Sequence, residues 1–259
     1  MTSAGQSVHR AAAEGFARGA DTYARGRPGF PAAVQTWLRD ELRLQPGRTV
    51  LDLGAGTGKF TVELVATGAK VFAVDPVAAM LDKLRVSAPS ATALAGDAES
   101  IPVPDETCDA VVCAQSFHWF ATRTALAEIR RVLKPGGALG LIWNVRDESV
   151  DWVAKLTRVI APYEGDAPRM ASGNWRRVFP APGFGALREW RFPHGHTGPP
   201  ERVIVDRVAS ISFIAALPSQ QRDRVLDDVR ALIAATPTLA GAKEVTFPYV
   251  TSAHCCARQ

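Results

Sequence analysis

The residues with chemistry to offer fall in a short series along the first half of the chain. Asp52-Leu53-Gly54-Ala55-Gly56-Thr57-Gly58 sets glycine at every second position directly after an apolar, β-prone run, Thr49 to Leu53. Alternate glycines allow a tight turn and let backbone approach a ligand with no Cβ in between. Asp75 and Gly96-Asp97-Ala98 each follow a further apolar run, which places carboxylates at two more strand ends. Such groups accept hydrogen bonds from hydroxyl or amino groups. His118, within Gln115-Ser116-Phe117-His118-Trp119-Phe120, is able to take a proton near neutral pH or to orient a polar group. The series describes a pocket for a nucleotide-like molecule with a candidate acid–base residue beside it.

The elements that must position these residues can be read from periodicity. A helix is expected from about Ala32 to Leu44, begun by Pro31 and carrying Val34, Trp37, Leu38 and Leu42 on one side. Strands follow at 48–53, 70–74, 91–95, 108–114 and 138–143. Helices alternate with them: one capped by Thr57 and closed by Gly68, one at 78–87 and one at 123–133. Strands alternating with helices at this spacing imply βαβ units and a parallel sheet with right-handed crossovers. After Trp143 the alternation lapses. Helical stretches are expected at 151–160, 201–216 and 219–234, with strands at 186–192 and 243–251. The organisation expected is one domain: an N-terminal lid and helix (1–44), a ligand-binding core (45–144), a helical cap (145–240) and a final strand (241–259).

Three ligands compete for the glycine loop. A phosphate loop requires GxxxxGK[ST]; Gly58-Lys59 is present, but Leu53 and Phe60 occupy positions that should be glycine and Ser/Thr. A dinucleotide turn requires GxGxxG, and Lys59 stands where the last glycine should permit close helix–strand packing. The third pattern, [DE]xGxGxG, is met by Asp52 through Gly58. It resembles the signature of class I S-adenosylmethionine-dependent methyltransferases. The resemblance continues in order through Asp75, Gly96-Asp97-Ala98 and Arg131-Val132-Leu133-Lys134-Pro135-Gly136-Gly137. Tyr23-Ala24-Arg25-Gly26-Arg27-Pro28-Gly29-Phe30-Pro31 and Gln115-Ser116-Phe117-His118-Trp119-Phe120 resemble segments of a small-molecule subgroup that includes trans-aconitate-type enzymes.

The resemblance implies an α/β, Rossmann-like sheet, mostly parallel with an antiparallel last strand, flanked by helices and carrying a helical cap. It also implies S-adenosyl-L-methionine as cofactor and methyl transfer to a small-molecule acceptor, such as a carboxylic acid or secondary metabolite. The cofactor contacts implied are Tyr23, Arg27, Asp52, Gly54, Ala55, Gly56, Asp75, Pro76, Met80, Asp97, Ala98 and Gln115. Asp75 would accept both ribose hydroxyls and Asp97 the adenine amino group, with Pro76 and Met80 as an apolar wall. His118 is the candidate general base. Trp119, Trp143, Asn144 and Arg146 are candidate acceptor contacts. Each has a plainer alternative: Asp52 holding the loop, Asp75 capping a helix, His118 packing beside Trp119, Arg27 in a surface ion pair.

Composition narrows the remaining classes. With 47% hydrophobic and 22% charged residues the chain can bury a sizeable core. The net charge of +4 is spread without a Lys/Arg stripe interleaved with aromatics, which argues against nucleic acid as a partner. Four cysteines occur without a CxxC pair, so neither a zinc site nor a disulfide framework is expected, and no metal ligand set stands out. Cys108 and Cys113, five apart in one strand, should face opposite ways. No run of eighteen apolar residues suggests a membrane span, and the start lacks a signal-peptide core. A cytoplasmic enzyme is the expectation. A cofactor-binding protein that does not methylate, or an NAD-dependent oxidoreductase, would share parts of the same pattern.

Overall fold

The computed structural model of the protein describes residues 27–166 and 168–259. Tyr23 lies outside the described residues. Two compact units are present, one built on a sheet and one on helices. The sheet unit comprises residues 28–146, 168–195 and 248–259. Its first helix, α1 (Ala33–Asp40), buries Val34, Trp37 and Leu38, the spacing that puts three side chains on one helical face. Strands and helices then alternate: β1 (Thr49–Leu53), α2 (Thr61–Val65), β2 (Lys70–Asp75), α3 (Ala78–Ser87), β3 (Thr92–Ala95), β4 (Cys108–Ala114), α4 (Arg123–Val132) and β5 (Leu133–Arg146). Later come β6 (Arg188–Gly198) and β7 (Val245–Ala257).

The sheet order is β3-β2-β1-β4-β5-β7-β6. β1 pairs in parallel with both β2 and β4, and β7 runs antiparallel to β5 from Ala138↔Ala257 to Arg146↔Tyr249. Successive residues of the central strands feed opposite cores. Leu51, Leu53, Val111 and Cys113 join one cluster, Val50, Ala110 and Val112 the other. Burial on both faces explains why these strands are continuously apolar. The order reverses between β1 and β4, and in open α/β sheets the crevice at the carboxyl ends of such strands receives ligands.

Several local expectations change. Cys108 and Cys113 share one core cluster, because the β4–β5 register shifts between Cys108 and Ala110 and turns Cys108 over. Thr57 caps no helix. Gly58 takes φ +82°, which is not helical, and α2 begins only at Thr61. The Thr57 carbonyl instead accepts the Ser87 hydroxyl at 2.8 Å. β5 and β7 both outrun their expected lengths. Ser252-Ala253-His254-Cys255-Cys256 is wholly buried, yet its small residues hide the alternation that would have marked a strand.

The helical unit contains Arg27, residues 147–166 and His196–Phe247. α5 (Asp151–Ile160) buries Trp152, Val153, Leu156 and Ile160, and Trp152 meets Phe247 edge-on at 5.0 Å. The helix expected over 201–216 is broken into a π-turn (Glu201–Val205), α6 (Asp206–Ala209) and α7 (Ser212–Ala215). At the break the Ser210 hydroxyl donates to Arg207 O at 2.7 Å, a local bond that competes with continued helix. α8 (Ser219–Ala235) buries only Val225 and Val229 and is otherwise a surface helix. Residues 168–195, within the range expected for the cap, pack with the sheet. Among the described residues no helix is long and apolar enough to cross a membrane.

Candidate functional site

The loop after β1 is where the sheet's carboxyl ends first gather polar groups. Gly54, Gly56 and Gly58 all take positive φ, +72°, +56° and +82°, a region costly for side-chain-bearing residues. Their surroundings differ. A Cβ on Gly54 would stand 2.6 Å from Ser116 Cβ, and one on Gly58 2.6 Å from Ser87 Oγ and 3.0 Å from Leu84 Cγ. A Cβ on Gly56 would meet no described atom within 4 Å. Two of the three glycines therefore serve the protein's own packing, and Gly56 alone of the three has no described neighbour where a side chain would stand. Ser116 uses the room at Gly54 to donate its hydroxyl to Leu53 O at 2.7 Å, which ties the end of β4 to the end of β1. Ser116 was not singled out from sequence. A serine following a strand has no distinguishing mark.

Asp75 ends β2 and is 7% exposed. Its Oδ2 accepts from Gly56 N–H and its Oδ1 from Val77 N–H, both at 2.9 Å. Each oxygen keeps a further lone pair for an incoming hydroxyl. Burial raises the Asp75 pKa, and the hydrogen bonds from Val77 and Gly56 lower it in part. Asp52 is wholly buried beneath the loop. Its Oδ2 accepts the Thr61 hydroxyl at 2.7 Å, while Oδ1 meets no donor among the described residues. Burial pushes Asp52 up to about 7, against the Thr61 hydrogen bond and with help from the Asp75 charge. Asp52 thus lies under the rim as support.

The loop after β3 presents Asp97 at the surface. Its Oδ1 accepts from Glu99 N–H and Ser100 N–H, both at 2.9 Å, which folds the loop and leaves Oδ2 for another donor. Ala98 behind it is buried, as is Met80 on α3, while Pro76 is exposed. Arg131, read from sequence only as part of the run before β5, clasps the next stretch. It donates to Ile101 O and Val103 O, both at 2.9 Å, while paired with Glu128 and Asp105.

The end of β4 carries Gln115 at φ +59°, a left-handed residue held by a hydrogen bond from its N–H to Ile142 O at 2.8 Å. Non-glycine residues in this region often mark sites where the chain is forced into a special shape. A 3₁₀ turn (Phe117–Trp119) follows. Phe117 is fully buried, and His118 and Trp119 are half-buried with ring centroids 5.1 Å apart. Trp143 Nε1–H donates to His118 Nδ1 at 3.1 Å.

Two residues expected to touch an acceptor are instead occupied by the protein. Trp143 is 1% exposed, between Trp175 (4.7 Å) and His254 (5.9 Å). The Asn144 amide donates to Gly29 O at 2.8 Å and its carbonyl accepts the Thr251 hydroxyl at 2.6 Å. His194 Nε2 meets the same Gly29 carbonyl at 3.0 Å, so Gly29 is pinned to β5 and β6. Arg146 is half-buried at the end of β5. In the helical unit Arg27 donates to Ser210 O at 3.1 Å. Among the described residues no group of three His, Cys, Asp or Glu side chains could hold a metal ion.

The sheet is doubly wound, its glycine loop follows β1 beside the β1/β4 crevice, and Asp75 and Asp97 stand at the ends of the neighbouring strands β2 and β3. The comparisons with known proteins give the class. Residues 51–141 match the family described as methyltransferase domain. An uncharacterized methyltransferase-like protein of Schizosaccharomyces pombe is 39% identical over 232 residues, 89% of this chain and 90% of that protein. An uncharacterized methyltransferase of Mycobacterium tuberculosis is 42% identical over 236 residues, 91% of this chain and 92% of that protein. The solved structure of a putative type II methyltransferase from Anaeromyxobacter dehalogenans is 25% identical and superposes with a TM-score of 0.64, covering 90% of this chain and 96% of that one. The chain belongs to the methyltransferase family.

Proposed function

We propose that this methyltransferase uses S-adenosylmethionine and transfers its methyl group to a small molecule, an organic acid or secondary metabolite. The observation that carries the reading is the rim shared by β1, β2 and β3. Gly56 has no described atom within 4 Å of where its Cβ would stand, Asp75 has lone pairs left after two backbone bonds, and Asp97 holds its loop through one oxygen only. These groups suit a molecule with a vicinal diol and an amino-bearing base. They offer no cradle of positive charge for a pyrophosphate. Asp75 would hold the ribose, Asp97 the adenine amino group, and the Gly54-Ala55-Gly56 backbone the amino-acid end.

Bound there, the cofactor supplies an electrophilic methyl group on a sulfonium. The chain's part is alignment and exclusion of water, which can supply much of the rate of an in-line displacement. His118, Trp119 and Gln115 stand on the β4 side, where an acceptor would approach. Calorimetry with S-adenosylmethionine, S-adenosylhomocysteine and NADH tests the reading. Binding of the first two and not the third is expected. Absence of binding by either sulfur compound would sink it, and binding without methyl consumption over a panel of organic acids would favour a non-methylating role.

A further inference from the structure

Trp143 makes a contact that decides what His118 can do. The indole is fixed before it reaches the histidine. Trp175 lies against it at 4.7 Å and 37°, and His254 meets it edge-on at 5.9 Å. His254 is itself held, with Nε2 2.9 Å from Ser252 Oγ. Burial drives its pKa down to about 4, so the ring is neutral and forms no ion pair with the Glu189 carboxylate 3.9 Å away. An indole nitrogen can only donate. Its partner at 3.1 Å, His118 Nδ1, must therefore present a lone pair. A neutral imidazole has one N–H, and that proton then sits on Nε2.

We propose that Trp143 is a positioning residue that locks His118 as its Nε2–H tautomer, so that His118 meets the methyl acceptor as a hydrogen-bond donor and not as a base. The proposal rests on the methyl-transfer reading and adds a condition on the acceptor. The one lone-pair nitrogen of the ring is committed to the indole, and Nε2 has no lone pair with which to take a proton. A reacting oxygen that arrives already ionised needs no base from His118. Its lone pair forms the bond to the methyl carbon as the carbon–sulfur bond breaks and that electron pair returns to sulfur. No proton moves. An ionised oxygen acid satisfies this, whereas a neutral alcohol would need another base.

The tautomer can be read without cofactor or acceptor, so this test stands apart from the methyl-transfer reading. Long-range nitrogen–proton NMR correlation on histidine-labelled protein, with His118 assigned through loss of its signals in His118→Gln, should show Nε2 protonated and Nδ1 bare. Trp143→Phe keeps the aromatic packing and removes the donor. It should yield a mixture of tautomers. The Trp143 indole proton supplies a second readout in a variant that leaves the core intact: in His118→Gln its resonance should move upfield as the acceptor is lost. A protonated Nδ1 in the unaltered protein, or an indole resonance indifferent to His118→Gln, would overturn the proposal. Turnover of a neutral alcohol that falls in His118→Gln while cofactor affinity holds would also overturn it.

Discussion

The two halves of the site rim are built on opposite terms. On the β1–β3 side the polar atoms point outward. Gly56 has no described neighbour on its open side, Asp75 keeps lone pairs, and Asp97 commits one oxygen of two. On the β4–β5 side they point inward. Ser116 is spent on Leu53, Trp143 on His118, and Asn144 on Gly29 and Thr251. One half is made largely of backbone and two carboxylates with acceptor atoms left over, which suits the proposed cofactor. The other first fixes its own frame and offers a ligand what remains. A family-wide cofactor and a protein-specific acceptor would call for such a division.

The comparison is broken most sharply within the glycine loop. Gly54→Ala would drive a methyl group to 2.6 Å from Ser116 Cβ at φ +72°. Overpacking and left-handed strain together should cost about 2–5 kcal/mol of stability. Gly56→Ala has only the conformational cost, about 1–2 kcal/mol, because its Cβ meets no atom of the described residues. Its methyl would enter the volume assigned to cofactor, so S-adenosylhomocysteine affinity should fall more than stability does. Urea denaturation and calorimetry on the pair decide it. Equal stability losses, or unchanged affinity in Gly56→Ala, would remove the distinction between the glycines.

Asp52 tests the layer beneath. Its pKa rises from an ordinary carboxylate value to about 7, chiefly through burial. Between pH 4 and pH 7 the folded state therefore holds a proton that the unfolded chain has released. Stability should fall as pH rises through this window and level off above it, by on the order of 2–4 kcal/mol in all. Asp52→Asn keeps an acceptor for Thr61 and cannot ionise, so it should flatten that slope. A slope unchanged in Asp52→Asn would place the titration elsewhere.

The outward half was the legible half. Gly54, Gly56, Asp75 and Asp97 lie at strand ends whose apolar runs announce themselves, and strand, loop and helix follow within a few residues. Parallel order was legible for the same reason, whereas the antiparallel last strand was implied only by the family resemblance. The inward half depends on contacts between distant positions. Asn144 meets Gly29 across 115 residues and Trp143 meets His118 across 25. Nothing local distinguishes an asparagine that anchors a segment from one that awaits a substrate. The turning of Cys108 onto the face of Cys113 was hidden likewise, since a register shift is set by the partner strand.

Asp75→Ala probes the outward half directly. It removes the acceptor of two backbone N–H groups and the proposed ribose contact. Cofactor affinity should weaken by about 1–3 kcal/mol, the scale of hydrogen bonds to a charged group. Asp75→Asn retains one oxygen and should fall between the two. If affinity held in both variants, Asp75 would be only a clasp for the loop, and the rim halves would no longer differ in kind.

The smallest effect carries the finest distinction. Asp97→Asn leaves an oxygen to accept from Glu99 and Ser100, so the loop should keep its shape. The other atom changes from acceptor to donor, and an adenine amino group would then face an amide N–H₂. At an exposed position the loss should be about 1 kcal/mol, too small to interpret alone. Replacing the amino group with an oxo group, as in S-inosylhomocysteine, reverses the requirement. The unaltered protein should prefer the adenine compound, and Asp97→Asn should lose or invert that preference. A carboxylate that only folds its own loop predicts the same preference in both proteins. A ligand-facing one predicts the crossover, because the interaction then depends on both partners at once.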